Sequence, residues 1–179
     1  MKTLIICCSL NPESRSSILA QHALAHLQSA GADAERIDLA DLDLPLCDGA
    51  AVYDNKRVQR LEATITRARA VLLAAPVYNY SVNAAAKNPI ELTGRAWDEK
   101  IVGFLCAAGG HGSYMSVMGL ANSLMLDFRC LIIPRFIYAA GDAFDDGGLA
   151  DENIKGRIKD LCHETLRLAA ALNAAPANR

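Results

Sequence analysis

TLIICC (Thr3–Cys8) runs directly into SLNPESRSS (Ser9–Ser17), and an alanine-rich stretch, AQHALAHL (Ala20–Leu27), comes straight after. The first segment is apolar almost throughout and lacks the alternation of a half-exposed strand, so it reads as a strand buried on both faces. In the third, Ala20, Ala23, Leu24 and Leu27 fall on one helical stripe. The joint between them carries four serines, an arginine and a proline, but no glycine. Serines cap helices, so the turn can be a capped, solvated entry to a helix. It can equally be an anion site, because free N–H groups at a helix start, hydroxyls and a guanidinium all suit phosphate oxygens.

The same alternation recurs along the chain. AVLLAAP (Ala70–Pro76), KIVGFLCAA (Lys100–Ala108) and CLIIPRFIYA (Cys130–Ala139) are further candidate buried strands, the last pushed to an edge by Pro134, which lacks a donor. ADAERIDL (Ala32–Leu39) is more polar and also suits an edge. Between them, Val58, Leu61, Ile65 and Ala68 form one stripe, and Ile154, Ile158, Leu161, Thr165, Leu168 and Leu172 a longer one. Helices are expected from about Val82 to Thr93 and from Ser113 to Asp127.

Strict β-α alternation with fully buried strands predicts an α/β fold with a parallel sheet between two helical layers. Five strands suit a flavodoxin-like three-layer sandwich, a five-stranded parallel sheet in order 2-1-3-4-5. All 179 residues are expected in a single domain.

Such sheets bind ligands beyond the carboxyl ends of their strands, where strand order reverses. That rule selects Ser9–Ser17, Pro76–Ser81 and Ala108–Ser113. Walker spacing is absent, as is G-x-G-x-x-G, so the first loop suits a single terminal phosphate better than a pyrophosphate. In the second, PVYNYS, Tyr78 and Tyr80 offer flat surface with polar tips, or simply close over the sheet end. The third, AAGGHGSY (Ala107–Tyr114), lets backbone approach a ligand closely at Gly109, Gly110 and Gly112. His111 either contacts that ligand or helps to start the next helix. A phosphate grip, a flat middle and a cluster of N–H groups describe an elongated ligand with a planar, electron-accepting head, the shape of flavin mononucleotide.

The bulk numbers limit the partners. Eighteen basic and 20 acidic residues give a net charge of -2, no electrostatic reason to expect nucleic acid or an anionic membrane. A signal peptide is not expected from MKTLIICCSL, and no apolar run reaches the roughly 18 residues of a spanning helix. Six cysteines (Cys7, Cys8, Cys47, Cys106, Cys130, Cys162) without C-x-x-C spacing read as reduced core residues in a cytoplasmic protein. His22 and His26 lie one helical turn apart without the carboxylate of H-E-x-x-H, so no metal is assigned to them. GDAFDDGG (Gly141–Gly148) lacks calcium-loop register and reads as a solvated loop, and the closing NAAPANR as a frayed end.

At SLNPESRSS, DLADLDLPLCD (Asp38–Asp48), PVYNYSVNAAAKN (Pro76–Asn88) and AAGGHGS, the sequence resembles the NADPH-dependent FMN reductase family, over about residues 2 to 172. That family includes flavin, quinone and azo reductases of flavodoxin-like fold. The resemblance implies that Ser9, Arg15 and Ser17 hold the FMN phosphate, with Ser14 and Ser16 beside them. It implies that Pro76, Val77, Tyr78 and Asn79 line the ribityl chain and ring, that Ser81 closes that loop, and that Gly109, Gly110, His111 and Gly112 approach the pyrimidine edge. It further implies NADPH or NADH as hydride donor and a small acceptor, free flavin or a quinone. No side chain is needed as nucleophile or base, and the chain is expected to form a homodimer or homotetramer. Val82 and Asn83 stand where the family carries a proline-glycine pair, a departure that bears on substrate more than on FMN. The competing class is a flavodoxin-type carrier without pyridine-nucleotide activity, for which -2 is little charge.

Overall fold

The first apolar run becomes β1 (Lys2–Cys7), and it lies inside a sheet. β2 (Asp33–Asp38) pairs with it on one side and β3 (Ala68–Tyr78) on the other, both parallel. The computed structural model describes residues 1–146 and 148–174. In chain order the further elements are α1 (Arg15–Ser29), α2 (Lys56–Arg67), β4 (Ser81–Val82), α3 (Ala84–Thr93), β5 (Ile101–Ala107), α4 (Met118–Phe128), β6 (Leu131–Ile132), β7 (Ile137–Ala139), β8 (Phe144–Asp145), β9 (Gly148–Leu149) and α5 (Glu152–Ala174).

Side-chain alternation along the strands divides the core. Ile5, Leu72 and Leu105 face one way, against Leu19 and Leu27 of α1 and Ile158 and Leu161 of α5. Leu4, Ile6, Leu73 and Phe104 face the other, against Leu61 and Ile65 of α2, Ile90 of α3 and Leu124 of α4. Each such side chain stabilises the fold by about 1.5–3 kcal/mol on burial, so both helical layers are held by the same strands. The expected stripe of α1 is buried at Ala20, Ala23 and Leu27, with Leu24 only partly covered. The α5 stripe is buried from Ile154 to Thr165 and reaches the surface by Leu172.

The fold class is as expected, but the sheet holds seven strands rather than five. Its main path is β2-β1-β3-β5-β6, with β7 also beside β5 and the short β4 antiparallel to β3. The fifth position is split because Pro134 cannot donate to the ladder and Arg135 takes a left-handed φ of 60°. Two helices begin later than expected. Val82 belongs to β4, so α3 starts at Ala84, and the stretch from His111 to Val117 is a kinked 3-10 segment before α4. Most of the closing heptapeptide, 175–179, lies outside the described residues.

The thiols behave as core. Five cysteines are buried, Cys47 is half-buried, and all six are free. Burial pushes the Cys106 and Cys162 thiols up to about 12 and Cys130 to about 11, which suppresses the reactive thiolate.

Candidate functional site

Strand order reverses between β1 and β3, and a cavity of about 300 Å³ opens beyond their carboxyl ends. All three unusual loops reach it. Ser14, Arg15 and Ser16 line it from the first loop, Pro76, Val77 and Tyr78 from the second, and Gly109 from the third. Asn11, Glu13, Ala107 and Ala108 complete the wall. A larger cavity of about 420 Å³ lies between α3 and α4 among Lys87, Glu91, Arg95 and Arg129, away from the strand ends. Convergence of the loops, not volume, separates the two.

The first loop is folded by its own short side chains. Asn11 accepts from the Glu13 N–H at 3.1 Å, and Ser9 Oγ accepts from the Asn11 N–H at 3.1 Å. Ser14 caps α1 by accepting from the Ser17 N–H at 3.2 Å, and its hydroxyl meets Ser16 Oγ at 3.1 Å. So the helix starts beside the cavity with its N–H dipoles directed there.

Not every expected residue is on the wall. The Ser9 hydroxyl is buried and also donates to the Asn11 carbonyl at 3.3 Å. Ser17 Oγ accepts from Arg36 Nη2 at 2.6 Å, while Nη1 of the same arginine donates to the Ser17 carbonyl at 3.1 Å. Arg36 is itself held by both oxygens of Asp38, at 2.9 and 2.5 Å, which raises its pKa and neutralises its charge locally. Asn79 and Ser81 belong to the β3–β4 hairpin at the rim. Asn79 and Tyr80 take φ of 49° and 66°, a left-handed pair that suits a two-residue turn whose twist matches the strands. Tyr78 and Tyr80 stand more than half exposed beside the cavity, so they do not close over the sheet end.

The third loop is held from outside. The hydroxyl of Tyr138, a buried residue on β7, donates to the Gly110 carbonyl at 2.6 Å and accepts from the Ser113 N–H at 3.2 Å. His111 points its Nε2 at Asp142, 3.0 Å away, which holds the Asp142 carboxyl below its ordinary value. Gly110 and Gly112 are exposed at the loop tip, off the cavity wall.

A fourth segment was not expected. The stretch read as a solvated loop folds into a 3-10 turn at Gly141–Ala143 and the β8–β9 hairpin. Phe144 lies under the Arg15 guanidinium, 5.4 Å from ring centroid to Cζ. A Cβ at Gly141 would sit 3.1 Å from both Arg15 Nη1 and the Gly109 carbonyl. No local pattern in GDAFDDGG announces that contact.

Two asparagines tie the loops together. Asn83 Nδ2 donates to the Cys8 carbonyl at 2.7 Å and its N–H to the Pro76 carbonyl at 3.0 Å, linking the ends of β1 and β3. Its buried Oδ1 has no partner among the described residues. Asn88 donates to the Pro45 carbonyl at 2.9 Å and accepts from the Cys47 N–H at 3.0 Å, which pins the segment after β2 to α3.

A doubly covered parallel sheet with a ligand cleft at its strand reversal defines a flavodoxin-type α/β oxidoreductase scaffold. The chain belongs to the NADPH-dependent FMN reductase family, whose model matches residues 1–145. It is 30% identical over 153 residues to an FMN reductase (NADPH) of Pseudomonas aeruginosa, covering 82% of this chain and 80% of that one. It is also 30% identical over 154 residues to a probable NADPH:quinone oxidoreductase of Oryza sativa subsp. japonica, covering 79% and 76% of the two chains. Among solved structures, the flavoenzyme FerB, an NAD(P)H:(acceptor) oxidoreductase from Paracoccus denitrificans, superposes with a TM-score of 0.79. The identity there is 21%, over 95% of this chain and 97% of that one.

Proposed function

We propose that this protein is an FMN-dependent NAD(P)H oxidoreductase that reduces a small diffusible acceptor, free flavin or a quinone, at the carboxyl edge of the sheet. The observation that carries this is a cavity to which all three loops contribute, in a chain of the FMN reductase family. Its donor set fits the cofactor. The N–H groups at the start of α1 and the Arg15 guanidinium suit a phosphate, with Ser14 and Ser16 beside them. Pro76, Val77 and Tyr78 present the apolar wall that a ring needs, and Gly109 permits close approach of backbone.

Held by Arg15 and the start of α1 at one end and by Pro76, Val77 and Tyr78 along the wall, FMN would supply hydride acceptance from NAD(P)H and electron delivery to the acceptor. The chain's own part is placement. Arg15 and α1 fix one end, and the hairpin at Asn79–Tyr80 shapes the rim. Tyr138 orders the third loop so that its N–H groups can meet negative charge.

The chain is expected to act as a homodimer or homotetramer. Tyr114, Met115, Met118, Met125 and Leu126 are exposed along α4 and the turn before it, an apolar face suited to a second copy. All six thiols are unpaired, in keeping with a reducing, cytoplasmic setting. No helix among the described residues is long and apolar enough to cross a membrane.

The test is an absorbance titration with FMN followed by NADPH. Binding, then NADPH-dependent bleaching of the flavin band and steady NADPH oxidation with a quinone, is the expected result. Binding without NADPH oxidation would make the protein a carrier, and no binding at tens of micromolar FMN would end the proposal. Arg15→Ala is expected to weaken FMN binding severalfold while lowering stability by no more than about 1 kcal/mol, the share of its contact with Phe144.

A further inference from the structure

A hollow of about 410 Å³ between the segment after β2 and the start of α3 takes no part in the function proposed above. Its lining is mostly hydrocarbon, from Leu10, Leu39, Leu44, Leu46, Ala84 and Ala85. Asp43 is the one charged residue of that lining, and its carboxylate is bonded by Arg57. No basic side chain lines the hollow among the described residues, so a phosphate or a nucleotide would find no counter-charge there.

The hollow is held open by the fold. Asn88 donates to the Pro45 carbonyl at 2.9 Å and accepts from the Cys47 N–H at 3.0 Å, so the backbone on either side of Leu46 is fastened to α3. Leu46 is 81% exposed and Leu10 65%, two large apolar side chains of the lining that the core does not take up.

The hollow also shares a wall with the cleft at the strand ends. Leu10 lines the one, and the next residue, Asn11, lines the other. Pro76 lines the cleft, and its carbonyl accepts from the Asn83 N–H at 3.0 Å; Ala84, which follows, lines the hollow. Asn83 Nδ2 donates to the Cys8 carbonyl at 2.7 Å and so fastens that wall to the end of β1. A molecule with its ring in the cleft thus has an apolar trough one residue away.

We infer that this hollow receives the apolar side chain of the electron acceptor, so that the preferred acceptor is a quinone carrying an alkyl or isoprenoid tail. This rests on the acceptor reading proposed above and narrows it. The side chain of a free flavin is hydroxylated, and this lining would strip it of water without offering partners. A hydrocarbon tail loses nothing there and gains by leaving water. The reduction keeps its balance: NADPH yields two electrons with one hydrogen, a solvent proton supplies the second, and the hydroquinone departs.

The test follows NADPH oxidation, with FMN present, by one fully substituted benzoquinone ring carrying methyl, butyl or decyl. A fully buried methylene favours binding about fourfold, and an open trough covers about half of it, so each carbon should count about twofold. In the wild type kcat/KM should therefore rise about eightfold from methyl to butyl. Leu46→Asp charges the lining and Ala84→Leu fills it; both residues are exposed, so both variants should fold like the parent. Each should bring the butyl advantage below about twofold. Amide NMR with FMN present and NADPH omitted gives a readout without turnover: the butyl quinone should shift Leu44, Leu46 and Ala85, and the methyl quinone should not. Equal kcat/KM for the three quinones in the wild type, or absence of those shifts, would overturn the inference. Should Leu46→Asp then also change the oligomeric state in light scattering, the hollow belongs to a second copy of the chain. An advantage that survives both variants would put the tail elsewhere and overturn it too. If no quinone is reduced while NADPH still bleaches the flavin, the acceptor reading fails and takes this inference with it; if FMN does not bind, the flavin reading itself fails.

Discussion

Replacing Tyr138 by Phe removes one oxygen and leaves the ring, so it isolates what that hydroxyl does for the third loop. The ring keeps its contact with Tyr114, whose centroid is 5.6 Å away at 63°. What is lost is a 2.6 Å bond to the Gly110 carbonyl and a 3.2 Å bond from the Ser113 N–H. A buried hydrogen bond contributes about 0.5–1.5 kcal/mol, and leaving a partner without water costs more. Gly110 is exposed and Ser113 half-buried, so water can satisfy both after the loop shifts, and the lower figures apply. The sum is about 1–2 kcal/mol. Because both bonds tie a surface loop to a strand, most of it should appear as easier local opening. Amide exchange at Gly109–Ser113 in the flavin-free protein should accelerate about tenfold, while β1 and β3 keep their protection. FMN affinity should fall severalfold with it. Unchanged exchange in this loop, together with unchanged FMN affinity, would refute the clamp even if the melting temperature fell.

Three further outcomes follow from other contacts. A Cβ at Gly103 would lie 2.8 Å from Leu72 Cδ2 and 3.1 Å from Leu161 Cδ1. Gly103→Ala should therefore destabilise by about 1–3 kcal/mol in urea unfolding, as overpacked cores do, and equal stability would mean that α5 can retreat at no cost. Arg36→Ala strips Ser17 and Asp38 of their shared partner and should cost about 2 kcal/mol; a loss below a few tenths would show the network to be surface-like. Asp142 titrates below its ordinary value because His111 bonds it, so the clasp is in force above the ordinary carboxylate range and is lost as pH falls through the lowered value. An NMR titration should show that lowering in the parent and its disappearance in His111→Ala, and the same titration in both would sever the link.

The strands were legible because burial on both faces leaves a mark in composition: TLIICC, AVLLAAP and IVGFLCA can hardly be anything else. Pro134 even announced an edge. It did not announce a break, because the break depends on Arg135 adopting a left-handed φ, and arginine is not a residue that signals one. At the site, residue type was legible and residue commitment was not. Ser9, Ser14, Ser16 and Ser17 are all suitable phosphate donors, but their commitments are made partly within the loop, by Asn11 and by one another, and partly by a partner remote in sequence. Ser17 is engaged by an arginine on β2, and no pattern within SLNPESRSS contains that arginine. GDAFDDGG misled for a related reason. Its acidic and glycine residues look solvated, yet Gly141 and Phe144 are chosen by contact with Arg15, a residue from the opposite end of the chain.

Those commitments share a direction. Each loop is braced by a polar group outside it: the first by Arg36 at Ser17, the link between first and second by Asn83 at Cys8, the third by Tyr138 at Gly110 and Ser113. Bracing fixes where a ring would lie, because the backbone that forms the wall cannot shift without breaking a bond worth about a kilocalorie per mole or more. It also sets the direction of the Ser17 hydroxyl, whose oxygen accepts from Arg36. Precision of the wall and orientation of the first loop's hydroxyls thus draw on the same polar groups. Hydride transfer depends steeply on the placement of the ring. A first loop whose Ser9 and Ser17 hydroxyls are held by Asn11 and Arg36 is organised as part of a rigid wall.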